Sequence, residues 1–195
     1  MKKHKPKVYM TVGPPGSGKG NWVKKKVTKD VDRQDKILAK YNKDSDDISE
    51  KMDMVNAQMK SGIWVINSNK ILTVLYGGTL SVEEYMHNVY IDIMKGLLFN
   101  ALRTGRDIVL EGQFINVNDR RQFVSSVNGF NHSTKNARYE LIAMKFPIAF
   151  EFCLKEKLRN TDLSTIKWRR IIKSSIKAYQ APTKKEGFGR IIRVS

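Results

Sequence analysis

The 195-residue sequence contains a single cysteine, Cys153, and few acidic residues. One cysteine excludes an internal disulfide and a metal site built from several cysteines, and it favours a reducing compartment such as the cytoplasm. No apolar run approaches the roughly 18 residues that a membrane-spanning helix needs, and no apolar signal-peptide stretch opens the sequence. The absences favour a cytoplasmic protein that is not embedded in a membrane.

Positive charge is abundant and unevenly distributed. There are 36 Lys and Arg against 19 Asp and Glu, which gives a formal net charge of +17. Residues 1–29 contain nine lysines and no acid, residues 30–60 carry a net charge of −2, residues 61–134 are neutral, and residues 135–195 contain 15 basic and five acidic residues. Either the two ends are simply solvated, lysine-rich surfaces or they bind a polyanion; we expect DNA or RNA as the partner.

Hydrophobic residues make up 41% of the chain, enough for one domain over 1–195 with a buried core. Apolar strand patterns alternate with helical periodicity, which predicts an α/β fold with a parallel sheet covered on both faces. Residues 30–60 form a predicted insertion, with a short helix over 47–60. The predicted strands are 7–12, 63–66, 107–111, 138–145 and 191–194. Further predicted helices span 81–104, 147–158 and 165–179, and two others begin near Gly18 and at Asn118.

A glycine-rich loop follows the first predicted strand and precedes a helix. It fits the GxxxxGK spacing of the nucleotide phosphate-binding loop (P-loop), in which backbone N–H groups surround an anion at a helix N-terminus. The lysine of the motif would lie beside the β- and γ-phosphates. We therefore predict an ATP-binding P-loop NTPase or kinase fold whose nucleotide-binding residues are Gly13, Pro14, Pro15, Gly16, Ser17, Gly18, Lys19, Gly20 and Asn21.

The position after Lys19 departs from the usual motif, because Gly20 replaces the serine or threonine that normally binds Mg²⁺. We expect Mg²⁺ as a cofactor held mainly through water and phosphate oxygens. The three histidines lack the spacing of a metal site, so no cluster of metal-ligating side chains is predicted. Glu111, at the end of an apolar strand, could anchor the water shell of Mg²⁺, accept a proton, or be an ordinary strand-end residue.

Several segments recur in the same order in a known family. They are Gly16-Ser17-Gly18-Lys19 with Trp22, then Ile66-Asn67-Ser68-Asn69, Tyr76-Gly77-Gly78, Arg120-Arg121 and the closing Glu186-Gly187-Phe188. In these segments the chain resembles the kinase domain of bacteriophage polynucleotide kinase and related P-loop kinases. The resemblance implies a helical lid at about 155–170, with Arg159 as the candidate lid arginine.

The acceptor side departs from that family. Asn69 stands where the family has the catalytic aspartate, and Leu72 stands where it has an arginine that contacts the acceptor strand. An amide cannot act as the general base. Three alternatives follow: Glu111 takes the proton, an acid from residues 30–60 takes it, or the protein binds nucleotide without transferring phosphate.

The leading hypothesis is an ATP-dependent kinase acting on a hydroxyl of DNA or RNA. The acceptor would be either a polynucleotide 5′-OH or a hydroxymethyl group on a base, such as 5-hydroxymethyluracil in phage DNA modification, and the changes at Asn69 and Leu72 favour the base. The enzyme would then act in the host cytoplasm. A nucleoside or nucleotide kinase and a non-catalytic nucleic-acid-binding protein are the alternatives.

Overall fold

The computed structural model describes residues 5–38, 62–76, 84–134, 138–159 and 165–194. Its five strands form one parallel sheet in the order β2-β3-β1-β4-β5. The strands are β1 (Lys7–Val12), β2 (Ile63–Asn67), β3 (Asp107–Glu111), β4 (Glu140–Lys145) and β5 (Arg190–Arg193).

The helices connect and cover these strands. In chain order they are α1 (Lys19–Leu38), α2 (Ser68–Tyr76), α3 (Glu84–Leu102), α4 (Val117–Ser133), α5 (Phe150–Leu158) and α6 (Thr165–Lys177), and a short 3₁₀ turn spans Lys184–Glu186. No helix within these described ranges is long and apolar enough to cross a membrane.

The core lies on both faces of the sheet. On one face, α3 and α4 bury residues such as Met94, Leu98 and Phe123 against β1, β3 and β4. On the other face, α1 packs Val23, with the partly buried Trp22, against Tyr9 and Phe146. Burial on both faces explains why β1, β3 and β4 are almost continuously apolar rather than alternating. The predicted α/β class and parallel sheet are confirmed.

Element boundaries differ from the sequence expectation at several points. α1 continues through Leu38, so the first nine residues of the predicted insertion at 30–60 belong to this helix. α5 begins at Phe150 rather than at Pro147, and α6 ends at Lys177. The short helix predicted at 47–60 and the first three residues of the helix predicted at 81–104 lie outside the described residues.

Candidate active site

The P-loop joins β1 to α1 at the carboxyl edge of the sheet. Gly16 and Gly18 adopt positive φ angles of 79° and 91°, a backbone region that favours glycine. A Cβ atom on Gly16 would lie 2.0 Å from the carbonyl oxygen of Cys153 in α5, so the loop and this helix approach as closely as backbones allow. The Gly13 N–H donates to the Gln113 carbonyl at 3.1 Å, which ties the loop to the segment after β3.

Lys19 begins α1 and turns back over the loop. Its Nζ donates to the carbonyl oxygens of Gly13 at 2.7 Å and Pro14 at 2.6 Å. Burial and, to a smaller extent, the nearby Lys157 ammonium lower the pKa of Lys19 to about 7, although Cys153 and Glu111 favour its charged form. A phosphate group beside Nζ would likewise favour the charged ammonium. Nucleotide binding above pH 7 would therefore be coupled to proton uptake.

A cavity of about 290 Å³ opens beside the loop, and we call it the donor cavity. It brings together residues from the loop, the start of α2, the end of β3, α5 and α6. Asn69 and Glu111, both predicted from the sequence, lie in it with most of the predicted nucleotide-binding residues. Its lining is Pro15, Gly16, Gly18, Lys19, Gly20, Asn21, Asn69, Glu111, Gly112, Gln113, Glu156, Lys157, Trp168 and Ile171.

The Glu111 carboxylate is oriented by the neighbouring strand. Asn67, paired with Glu111 across β2 and β3, donates from Nδ2 to Glu111 Oε2 at 2.7 Å. The other oxygen, Oε1, lies 3.5 Å from the position that a Cβ on Gly20 would occupy. Glu111 therefore faces the loop at the point where the usual hydroxyl is missing.

These residues fit an Mg²⁺ ion held largely by nucleotide phosphates. In the described part of the chain no group of three His, Cys, Asp or Glu residues could hold a metal ion by itself. The single carboxylate of Glu111, beside the phosphate-binding loop, suits a well-hydrated ion that keeps most of its waters.

A second cavity of about 260 Å³ lies next to the first, and we call it the acceptor cavity. Asn69 and Gln113 line both cavities. Most of its wall is apolar, and none of the described residues that line it is a lysine or arginine. The lining consists of Ser68, Asn69, Leu72, Tyr90, Ile91, Gln113, Phe114, Ile115, Asp119 and Phe123.

The segment between β3 and α4 shapes the acceptor cavity. Phe114 has a φ of 41°, which is strained for a residue with a side chain, and its ring packs edge-on against Phe123 at 5.3 Å. The buried Arg120 fixes this conformation by donating to the carbonyl oxygens of Phe114 at 3.0 Å and Gln180 at 2.9 Å. Its remaining nitrogens pair with Glu186 at 2.6 and 3.0 Å. Arg120, part of the family-like Arg120-Arg121 pair, is thus a structural residue.

Polar groups also reach the acceptor cavity. The Tyr90 hydroxyl is hydrogen-bonded to Ser68, and burial raises the pKa of Tyr90. Asp119 lies in the first turn of α4, where its backbone N–H donates to Oδ1 of the capping residue Asn116 at 2.9 Å. The cavity therefore offers hydroxyl, amide and carboxylate groups within an apolar wall.

The predicted lid arginine does not reach either cavity. Arg159 follows α5, is exposed, and pairs with Glu156 at 2.7 Å. Lys157, two residues earlier, lines the donor cavity instead, and its Nζ lies 4.5 Å above the Trp168 ring. Lys157 could not be singled out from the sequence, because the predicted lid region contains several basic residues. Only the packing of α5 on α6 shows which of these residues faces the donor cavity. Trp168 is buried, as expected, but it also forms part of the cavity wall.

No protein-family model and no curated protein matches this sequence. Solved structures do share its fold. A fungal RNA kinase aligns with 98% of this chain and 76% of its own, at 12% identity and a TM-score of 0.55. A chain of a Pnkp1/Rnl/Hen1 complex aligns with 84% of this chain at 12% identity and a TM-score of 0.52. In a second structure, of a Pnkp1/Rnl/Hen1 RNA repair complex, the aligned part is 92% of this chain, at 11% identity and a TM-score of 0.54.

These similarities confirm the predicted fold. The chain has the α/β architecture of P-loop kinases, with a parallel sheet and the phosphate-binding loop at its carboxyl edge. It spans less than half of the matched chains in the two complexes, 43% and 48%. At this low identity the comparison establishes the fold alone, so the acceptor must be argued from the site.

Proposed function

We propose that the protein is an ATP-dependent kinase that transfers the γ-phosphate to a hydroxyl carried by nucleic acid. The observation that carries the proposal is the junction of the donor and acceptor cavities at Asn69 and Gln113, with Lys19 and Glu111 on the donor side. A hydroxyl group held in the acceptor cavity would face a γ-phosphate held by the loop. The kinase fold of the similar structures supports the same reaction class.

On the donor side, the loop backbone and Lys19 would bind the phosphates, and Lys157 would neutralise charge on the phosphoryl group as it transfers. Bound Mg²⁺ would supply further charge neutralisation. It would be held by phosphate oxygens and by waters near Glu111, whose carboxylate stays free to accept a proton. Lys157 thus takes the place that the sequence analysis gave to Arg159.

On transfer, the acceptor oxygen bonds to the γ-phosphorus and the bond from that phosphorus to the bridging oxygen breaks. ADP leaves with the electron pair, and the acceptor proton passes to a carboxylate. Glu111 is the best-placed candidate because it lines the donor cavity beside Asn69. Asn69 would orient the hydroxyl group through a hydrogen bond. The other source considered from the sequence is an acid of residues 30–60. Of these, Asp30, Asp32 and Asp35 lie on α1 and line neither cavity, and the acids beyond Leu38 lie outside the described residues.

The composition of the acceptor cavity favours a hydroxyl on a base. A 5′-terminal nucleoside of a polynucleotide brings its 3′-phosphate, and burying that charge without a cation is costly. The described lining has no cation and contains the Asp119 carboxylate. A hydroxymethylated base such as 5-hydroxymethyluracil would instead place an uncharged, planar ring against Leu72 and Phe114. A base within a duplex would have to be flipped out to enter.

The modest volume of the acceptor cavity, about 260 Å³, also suits a free nucleoside. A nucleoside kinase is therefore the second candidate function. It shares the donor site and differs only in having no need for a polymer.

The test is an acceptor panel with γ-labelled ATP: closed circular DNA containing 5-hydroxymethyluracil, 5′-OH oligonucleotides of DNA and RNA, and free nucleosides. We expect label on the closed circular DNA and none with Lys19→Ala, whose folding is checked by its melting temperature. Label only on 5′-OH ends would overturn the choice of base acceptor, and label only on free nucleosides would establish the second candidate. Absence of transfer to every acceptor would refute the kinase proposal.

A further inference from the structure

One face of α6 is strongly basic. The helix Thr165–Lys177 contains no acidic residue and five basic residues, namely Lys167, Arg169, Arg170, Lys173 and Lys177. Four of them, with Ser174, line a shallow open groove, which we call the α6 groove. The groove residues are Arg169, Arg170, Lys173, Ser174 and Lys177, and all are exposed.

The opposite face of α6 anchors the helix. Trp168 and Ile172 are buried against Cys153 and Leu154 of α5. Trp168 and Ile171 line the donor cavity. The groove cations therefore project from a helix held against the active site.

These cations are available for an external anion. None of the ion pairs found among the described residues involves the side chains of the α6 groove. Lys173 contacts the Phe150 ring, with Nζ 5.6 Å from its centroid, which leaves its charge uncompensated. A row of cations with no carboxylate in ion-pair contact among the described residues creates a positive potential that attracts a polyanion.

The spacing and direction of the groove suit an extended strand. Arg169, Lys173 and Lys177 are four residues apart, so a rise of ~1.5 Å per residue places them about 6 Å apart along one face. The helix begins beside the donor cavity. Beyond its end, the Gln180 N–H donates to the carbonyl oxygen of Ile115, a residue of the acceptor cavity wall, at 2.8 Å.

We propose that the α6 groove binds the sugar-phosphate backbone of a nucleic-acid strand whose hydroxyl group enters the acceptor cavity. The proposal rests on the proposed function. The α6 groove would supply the cations that the described lining of the acceptor cavity lacks. Backbone binding outside and base binding inside would explain how a cavity whose described lining has no cation serves a polyanionic substrate. An anionic membrane is a poorer match, because the apolar face that a surface-binding helix would insert is largely buried against α5.

The test compares two charge-matched variants. The first is R169Q/R170Q/K173Q/K177Q. The control, K25Q/K29Q/K36Q/R103Q, removes the same charge from exposed residues of α1 and from Arg103, the exposed residue that follows α3. Binding of a labelled single-stranded oligonucleotide is followed by fluorescence anisotropy from about 50 to 200 mM salt.

We expect the groove variant to bind the oligonucleotide at least about tenfold more weakly, with the slope of log K against log salt reduced by about 0.7 for each lost phosphate contact. The control should change affinity by less than about twofold. Equal losses in both variants, or no loss in either, would overturn the proposal. The proposal would also be overturned if the groove variant lost binding to phosphatidylserine vesicles while its affinity for the oligonucleotide stayed unchanged.

If the fourfold variant fails to melt cooperatively, R169Q/K173Q and R170Q/K177Q replace it, and each should remove about half of the change in slope. This experiment and the acceptor panel test the two proposals independently. If the groove variant loses oligonucleotide binding but the unmodified protein transfers no phosphate, the kinase proposal is refuted and the α6 groove remains a nucleic-acid-binding surface. If the unmodified protein transfers phosphate to DNA but the groove variant binds the oligonucleotide normally, the α6 groove proposal is refuted and the kinase proposal stands.

Discussion

The two cavities of the site are built in different ways. The donor cavity depends on backbone: the P-loop supplies N–H groups from a short continuous segment, and Gly16 touches the backbone of α5. The acceptor cavity depends on side chains from α2, α3, α4 and the segment after β3. A backbone site recognises phosphate whatever the remaining sequence, whereas a side-chain site can change its ligand through substitutions such as those at Asn69 and Leu72. The fold can therefore keep the same phosphate donor while the acceptor that it binds changes.

Their electrostatics differ in the same way. Two lysines, Lys19 and Lys157, and two carboxylates, Glu111 and Glu156, line the donor cavity, whereas Asp119 is the charged residue among the described lining of the acceptor cavity. The donor side suits a polyphosphate, and the acceptor side suits a largely uncharged group. A substitution that distorts the P-loop backbone should consequently reduce activity more than a substitution in the side-chain wall of the acceptor cavity.

The largest effect is expected from Gly16→Ala. The new Cβ would collide with the Cys153 carbonyl at 2.0 Å and would occupy a φ of 79°. We expect ATP binding and transfer to fall below detection, measured by isothermal titration and by γ-phosphate release to the acceptor. Gly129→Ala in α4, where nothing lies within 4 Å of the added atom, is the control and should retain activity within about twofold. Normal ATP affinity in Gly16→Ala would show that the close contact with α5 is dispensable.

Glu111→Gln should follow, with kcat reduced by ~10²-fold or more because the amide cannot accept the proton. ATP affinity should change much less. Asp119→Asn is the comparison on the acceptor side, and its kcat should stay within a few-fold of the unmodified protein. If Asp119→Asn lowers the single-turnover rate more than Glu111→Gln does, the general base is Asp119 in the acceptor cavity rather than Glu111.

Lys157→Met should lower kcat by about ten- to a hundredfold, since it removes an ammonium group from the donor cavity. Arg159→Met, two residues away, should leave kcat within about twofold because Arg159 pairs with Glu156 at the exposed end of α5. Steady-state kinetics with saturating ATP would check both values. If Arg159→Met lowers kcat more than Lys157→Met does, Arg159 is the lid cation, as predicted from the sequence.

The smallest effect is expected on the acceptor wall. Leu72→Arg would place a cation in the apolar cavity and should raise the KM of the base acceptor by about tenfold, with the KM of ATP unchanged. Val74→Arg, on the same helix but 85% exposed, should alter neither constant. Adding Asn69→Asp to Leu72→Arg should create transfer to 5′-OH oligonucleotides. If it does not, the two positions do not determine the choice of acceptor.

Local features were the most predictable. The P-loop requires glycines at fixed spacing between a strand and a helix, so Gly13 through Asn21 could be located from the sequence alone. Glu111 could be placed beside the loop because strand ends meet at one edge of a parallel sheet. The start of α5 was misplaced at Pro147, since a proline that suits a first helical turn suits the preceding loop equally well.

Long-range packing was the least predictable. Which of Lys157 and Arg159 faces the donor cavity depends on the rotation of α5 against α6, and this is fixed by Cys153, Leu154, Trp168 and Ile172. Likewise, the strained Phe114 is held by Arg120, whose other partner, Glu186, lies 66 residues further along the chain. No local pattern records such contacts.

By itself, the sequence determined the phosphate-binding loop, the α/β class and the concentration of positive charge at the two ends, because each depends on residues close together in the chain. Only the tertiary structure decided that Lys157 faces the donor cavity, that the acceptor cavity has an apolar wall, and that α6 directs a basic groove outward beside both. These features arise where elements distant in sequence pack together, and that packing sets which side of each helix is buried and which is free to bind.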